Sequence, residues 1–272
     1  MEPWWRAWSY IVAGLLAYVM LALAASVFIR RVGGNVKDVE GRLSPAVLAI
    51  GAAANLCILG ATLLLLRFLV GRPIVALGLS YGSRDLAFCL VAWLILPVLA
   101  VAFVAGLARA GRVRMERRSP AEGPGGVLGM LAMGGTLGVV ALQEEVLFRG
   151  YMTLDLAGHG PVVVLAVTTL LFAAIHVLTN RVDRYQLVGW VLGGALLGYA
   201  YLLTGSIWVP VAIHFAMDLV NVLFLDIVRH GSVVGITPTL TPRHRVTYRA
   251  VSVAAVVVTL LVFFGPDLAY GG

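Results

Sequence analysis

Glu144, Glu145 and Arg149 stand inside an apolar run, "LQEEVLFRGY", at residues 142–151. Three more ionisable residues, His176, His214 and Asp218, stand inside apolar runs further on. Carrying one charge to a bilayer centre costs at least about 2.5–3.5 kcal/mol, so such residues face a protein interior and pair with one another. Spacing sorts them. Glu145 and Arg149, four apart, stack on one helical face at salt-bridging distance, while Glu144 is turned about 100° away and points elsewhere. One glutamate is free to be structural and its neighbour chemical. His214 and Asp218 repeat the four-residue spacing, and Asn221 continues their stripe. A carboxylate beside two imidazoles in a dry cavity is a hydrolytic arrangement, because the carboxylate can take a proton from water. A histidine with a polar neighbour can then hold the oxygen on which charge develops. No Ser or Cys lies beside these groups within an apolar run, which points to attack by water rather than through an acyl-enzyme.

These groups sit in a chain built for lipid. It has 272 residues, 61% of them hydrophobic and 12% charged, and a mean hydropathy of +0.97, where a soluble domain is about one quarter charged. That composition is one of an integral membrane protein. The net charge of +7 does not indicate nucleic acid, because the arginines sit at the ends of apolar runs instead of on one helical face. Their expected partners are anionic lipid headgroups. The two cysteines, Cys57 and Cys89, fall within apolar segments and read as small buried hydrophobes, with no disulfide or zinc framework. The first apolar segment is longer than a signal-peptide core and follows only the weakly basic "MEPWWR", so it is expected to be a retained span.

Apolar windows of about 20 residues, the length that crosses a bilayer, fall near 8–29, 44–66, 86–108, 126–148, 161–178, 187–204, 207–227 and 247–264. No strand-period alternation appears, so the expected fold is all-α, a polytopic membrane helix bundle of about eight transmembrane helices. On a rise of about 1.5 Å per residue, His176 lies about 22 Å along its run from Pro161, Glu144 about 18 Å back from Leu156, and His214 about 10 Å into its run. The three can therefore meet inside the membrane. Sorting basic residues by alternate connector puts Arg6, Arg67, Arg72, Arg84 and Arg149 on the poorer side, which places both termini outside. In the sixth window, Gly189, Gly193, Gly194 and Gly198 allow close helix packing. His159, His230 and His244 fall in connectors and read as solvated, and "RVDR" at 181–184 reads as a span end.

The residues resemble the CPBP family, the CAAX prenyl endopeptidases and the bacteriocin-processing or self-immunity (Abi) membrane proteins. "EEVLFR" matches that family's EExxxR at Glu144, Glu145 and Arg149. "FAAIH" matches FxxxH at Phe172 and His176, and "HFAMD" matches HxxxN/D at His214 and Asp218. The flanks "FRGY" and "TGSIWVPVAIH" look alike too, and the resemblance covers roughly 124–225. It divides the chain into three N-terminal spans (1–123), a catalytic core of four (124–227) and a C-terminal span (228–272). It implies an intramembrane endopeptidase of a bacterial inner membrane, in which Glu144 and His176 activate water and His214 with Asp218 forms the oxyanion site. Glu145 and Arg149 would brace it, with Phe172 and Asn221 as weaker substrate contacts. No cofactor is favoured. Zinc would be accepted by Glu144, His176 and His214, although no HExxH is present. The chain departs from the family at Asp218, where the prenyl endopeptidases usually have Asn, since an ionised Asp would repel an oxyanion.

The implied partners are membrane lipids and a membrane-associated protein or lipidated peptide: a prenylated C-terminus, a bacteriocin leader, or a C-terminal sorting tail as in myxosortase-like members. Two other classes use similar residues. A proton-coupled carrier also keeps carboxylates and histidines at mid-depth but predicts inverted repeats, which are not visible. A catalytically silent immunity or scaffold protein would tolerate replacement of Glu144.

Overall fold

The computed structural model describes residues 4–32, 45–117, 126–179, 183–225 and 234–270. The chain forms helices α1 (Trp4–Val32), α2 (Pro45–Phe68), α3 (Ser83–Arg109), α4 (Gly126–Glu145), α5 (Met152–Leu156), α6 (Pro161–Thr179), α7 (Arg184–Thr204), α8 (Trp208–Leu223) and α9 (Pro242–Tyr270). Among the described residues, seven helical segments are long and apolar enough to cross a membrane, and α8 is a shorter apolar helix. The protein is an all-α polytopic membrane bundle. Helix α3 illustrates why lipid is its solvent. Ala92, Leu96, Ala100 and Val104 are buried at four-residue spacing, while Leu90, Leu94, Val98 and Val101 on the opposite side are exposed. A helix apolar all round needs apolar neighbours on every side. Its interior Pro97 is a residue that membrane helices tolerate.

The structure differs from the sequence expectation in four places. The seventh window, 207–227, forms only the 16 residues of α8, about 24 Å of helix. Two connectors pair as short antiparallel strands, β1 (Arg114–Arg117) and β2 (Val234–Thr237), because four-residue strands so far apart in sequence leave no periodic signature. Cys57 is exposed on α2 instead of buried, whereas Cys89 is buried. Arg149 is fully buried within the bundle, so it does not mark a membrane side. His230 and Arg181 lie outside the described residues. His159 is exposed and His244 half-buried.

Two apolar clusters fill the interior. One joins α3, α7, α8 and α9 through residues such as Phe88, Leu96, Leu197, Ile213 and Leu260. The other joins α1, α2, α5 and α6 around Leu66, Leu147, Tyr151, Met152 and Val164. The ends of the helices that lie between them are set locally. Asp183 caps α7, its Oδ1 accepting from the N–H groups of Tyr185 and Gln186, a contribution of about 1 kcal/mol. Gly205 ends α7 in the left-handed region at φ 63°. Gly78, at φ 73°, packs so closely on Gly205 that a Cβ would strike its carbonyl, and its own carbonyl accepts from Ile207 N–H at 3.2 Å. That contact fixes where α8 begins. The glycine face of α7 is divided: Gly194 and Gly198 press against Phe172 and Leu165 of α6, whereas the space before Gly189 is open.

Candidate active site

Helix α4 does not stop at Glu145 but widens into a π turn over Val146–Tyr151, a distortion frequent at functional sites. All six residues of the turn are buried. Glu145 Oε1 accepts from Arg149 NH1 at 3.0 Å, and both side chains are fully buried. Arg149 NH2 donates to the Gly194 carbonyl on α7 at 2.9 Å, and its guanidinium lies 4.6 Å from the Phe172 ring centroid. A carboxylate, a carbonyl and an aromatic face thus share the buried charge.

The same Glu145 oxygen meets His214 Nδ1 at 2.7 Å. A carboxylate paired with a guanidinium accepts, so Nδ1 carries the proton and donates. His176 Nδ1 lies 2.9 Å from the Phe172 carbonyl, which can only accept, so this Nδ1 also donates. Both imidazoles are therefore oriented by one ring nitrogen and present Nε2 to the same place. Glu144 Oε2 is there, 3.8 Å from His176 Nε2 and 3.9 Å from His214 Nε2. That oxygen is buried and has no hydrogen-bond partner among the described residues. Asp218 Oδ2 approaches His214 Nε2 at 3.6 Å.

The cluster opens into a cavity of about 160 Å³ whose wall includes Glu144, Phe172, His176, His214, Asp218 and Asn221. Phe172 is buried and touches more than the cavity, since it packs between Arg149, His176 and His214. The residues singled out in the sequence thus lie together: Glu144, His176, His214 and Asp218 around one space, and Glu145 with Arg149 behind it. Two contacts were not foreseen. Glu145 holds His214 as well as Arg149, a link between two motifs that spacing along one helix does not reveal. Arg249 of α9 and Trp190 of α7 also line the cavity, and their signal was weak, an arginine near a span end and one aromatic residue among many.

The donor set suits zinc in kind, since Glu144 Oε2 and the two Nε2 atoms converge while each Nδ1 is held by an oxygen, as ligating histidines require. Among the described residues, however, no three such side chains stand at coordinating spacing.

Fold and site together define a membrane-embedded helix bundle that encloses a carboxylate between two oriented imidazoles. Residues 123–220, which include every residue of the three motifs, match the family model of the Rce1-like proteins, the type II CAAX prenyl endopeptidases. The match bears out the resemblance over that segment. No curated protein and no solved structure matches the chain.

Proposed function

We propose that the chain is an intramembrane endopeptidase that hydrolyses a peptide bond of a membrane-associated protein close to its C-terminus or leader. The observation that carries this reading is Glu144 Oε2, unpartnered among the described residues and facing two Nε2 atoms at 3.8 and 3.9 Å. Those gaps are too long for direct hydrogen bonds and are of the length a water bridges. A water between Glu144 and His176 meets two acceptors, the carboxylate and the Nε2 lone pair of the Nδ1–H tautomer. Glu144 takes the proton as the water oxygen attacks the carbonyl carbon, and returns it to the leaving nitrogen. His214, its Nδ1–H donating to Glu145, acts in this reading as an imidazolium whose second proton, on Nε2, is donated to the substrate oxygen, with protonated Asp218 beside it as second donor. The family match supports this class, and the apolar helices support a place within a membrane. A direct test compares membrane proteomes from cells making the wild type or Glu144→Gln. A substrate appears as a protein whose terminus stays untrimmed in the variant, and identical termini in both would reject the reading.

A second reading has its own observation, the two Nδ1 atoms already engaged by oxygens. In it Glu144, His176 and His214 would be the residues to hold zinc, and the ion would supply Lewis-acid activation of water. The two readings part on metal. Without a metal role, purified protein holds less than one zinc per chain and keeps its activity after exhaustive chelation. Stoichiometric zinc whose removal and return switches hydrolysis off and on would establish the second reading.

Asp218 gives another expected outcome. Glu145 already orients His214 from Nδ1, so Asp218 is not needed for that and is assigned the donor role. Asp218 donates only while it carries a proton, whereas asparagine donates at every pH. Asp218→Asn should therefore keep its activity and hold it to higher pH than the wild type. A loss beyond about a hundredfold, the size of removing one oxyanion donor, in a folded variant would show in kcat and would make the Asp218 charge the required feature.

A further inference from the structure

Arg249 lies on α9, outside the family match, and its guanidinium occupies the side of Gly193 where a Cβ would meet it, lining the cavity that holds Glu144 and Asp218. Its NH1 donates to Met217 Sδ at 3.0 Å. A thioether is a weak acceptor for a group with five N–H donors; among the described residues no carboxylate comes within 4.0 Å of Arg249, and Asp218, across the same cavity, acts on its charge only at longer range. One helical turn earlier, Arg245 is exposed and lines a second cavity of about 150 Å³. The two cavities share Gly189, Trp190, Asn221 and Arg249. The acid of the second wall, Asp183, has its Oδ1 occupied by backbone N–H groups. A route lined by two arginines thus runs from the end of α9 to the carboxylate–imidazole cluster, and it suits an anion.

We propose that Arg249 is the receptor for the free α-carboxylate at the substrate's C-terminus, with Arg245 guiding that carboxylate inward. The proposal rests on the endopeptidase reading and names its substrate class: a chain that ends a few residues beyond the bond to be cut. A planar guanidinium binds a carboxylate through two parallel N–H···O bonds. Inside a partly enclosed cavity, salt screens that pair little. Anchoring the terminus beside Glu144 sets the scissile bond at a fixed distance from the chain end. An amidated or extended terminus brings no anion to Arg249 and loses that anchor, so discrimination comes from the unmatched charge.

The test measures binding, so it does not depend on turnover. The background is Glu144→Gln in nanodiscs. The probe is a labelled peptide with a prenylated cysteine followed by three apolar residues, made as the free acid and as its amide. The acid is expected to bind about 10- to 100-fold tighter, the size of a hydrogen-bonded charge. Arg249→Met should bring the two affinities together, and Arg249→Lys, which keeps the charge but not the fork, should give an intermediate ratio. Equal affinities in the parent would overturn the proposal, as would a preference for acid that survives Arg249→Met. An equal weakening of both peptides in Arg249→Met would also overturn it, making Arg249 a partner for Asp218 instead. Wild-type protein that binds the acid selectively but releases no product would refute the endopeptidase reading and leave the receptor standing.

Discussion

Glu144→Gln is expected to lower the rate of hydrolysis by about 10²- to 10⁴-fold, the usual contribution of a general base, with the bundle still folded. Glutamine keeps the length and shape of the side chain but has no oxygen basic enough to take a proton from water. The structural cost is small because Glu144 Oε2 has no hydrogen bond to lose among the described residues and the two Nε2 atoms it faces lie at 3.8 and 3.9 Å. The variant should therefore extract, purify and melt like the wild type. Loss should fall on kcat, since the peptide is held by the cavity wall and not by the base. Single-turnover cleavage of a peptide in nanodiscs measures it. Activity within about tenfold of wild type would remove Glu144 from the base role, because no base worth so little fits that range.

Much of this site was legible before any coordinates, for a reason specific to membranes. Where almost every residue is apolar, each charged one stands out, and the cost of leaving it unpaired forces it toward others of its kind. Glu144, His176 and His214 could be placed at similar depth by counting residues, and they do meet. The four-residue spacing of Glu145 and Arg149 likewise identified their 3.0 Å pair. What was not legible depends on neighbouring helices. Whether a glycine packs or lines a space is decided by what faces it, so Gly194 meets Phe172 while Gly189, five residues earlier, meets nothing. The π turn, the pairing of β1 with β2 and the short reach of α8 are likewise set by tertiary contacts. Arg249 was hidden by its position near a span end, where arginine is ordinary. Only the packing of α9 on α7 turns it inward.

Glu145→Ala should destabilise the protein by about 3–5 kcal/mol, the cost of leaving a buried charge without its partner. Arg149 would keep the Gly194 carbonyl and the Phe172 ring, but it would lose the carboxylate bonded to it and retain Glu144 only at longer range. The same substitution removes the acceptor of His214 Nδ1, so the imidazole would lose the bond that fixes its proton and its direction. Stability and catalysis should fall together, and a second variant separates them. In Glu145→Ala combined with Arg149→Met, the orphaned charge is gone. Replacing a buried ion pair by apolar groups is often neutral or stabilising, so the apparent melting temperature should recover much of what the single variant lost. Catalysis should not recover, because His214 still lacks its anchor and its Nε2 no longer points at the substrate oxygen. Thermal unfolding in detergent and single-turnover cleavage of both variants supply the two readings. Wild-type stability in Glu145→Ala would reject the paired charge as a structural element. Recovery of cleavage together with stability in the double variant would mean that Glu145 acts on Arg149 alone, and that the 2.7 Å contact with His214 has no part in positioning it.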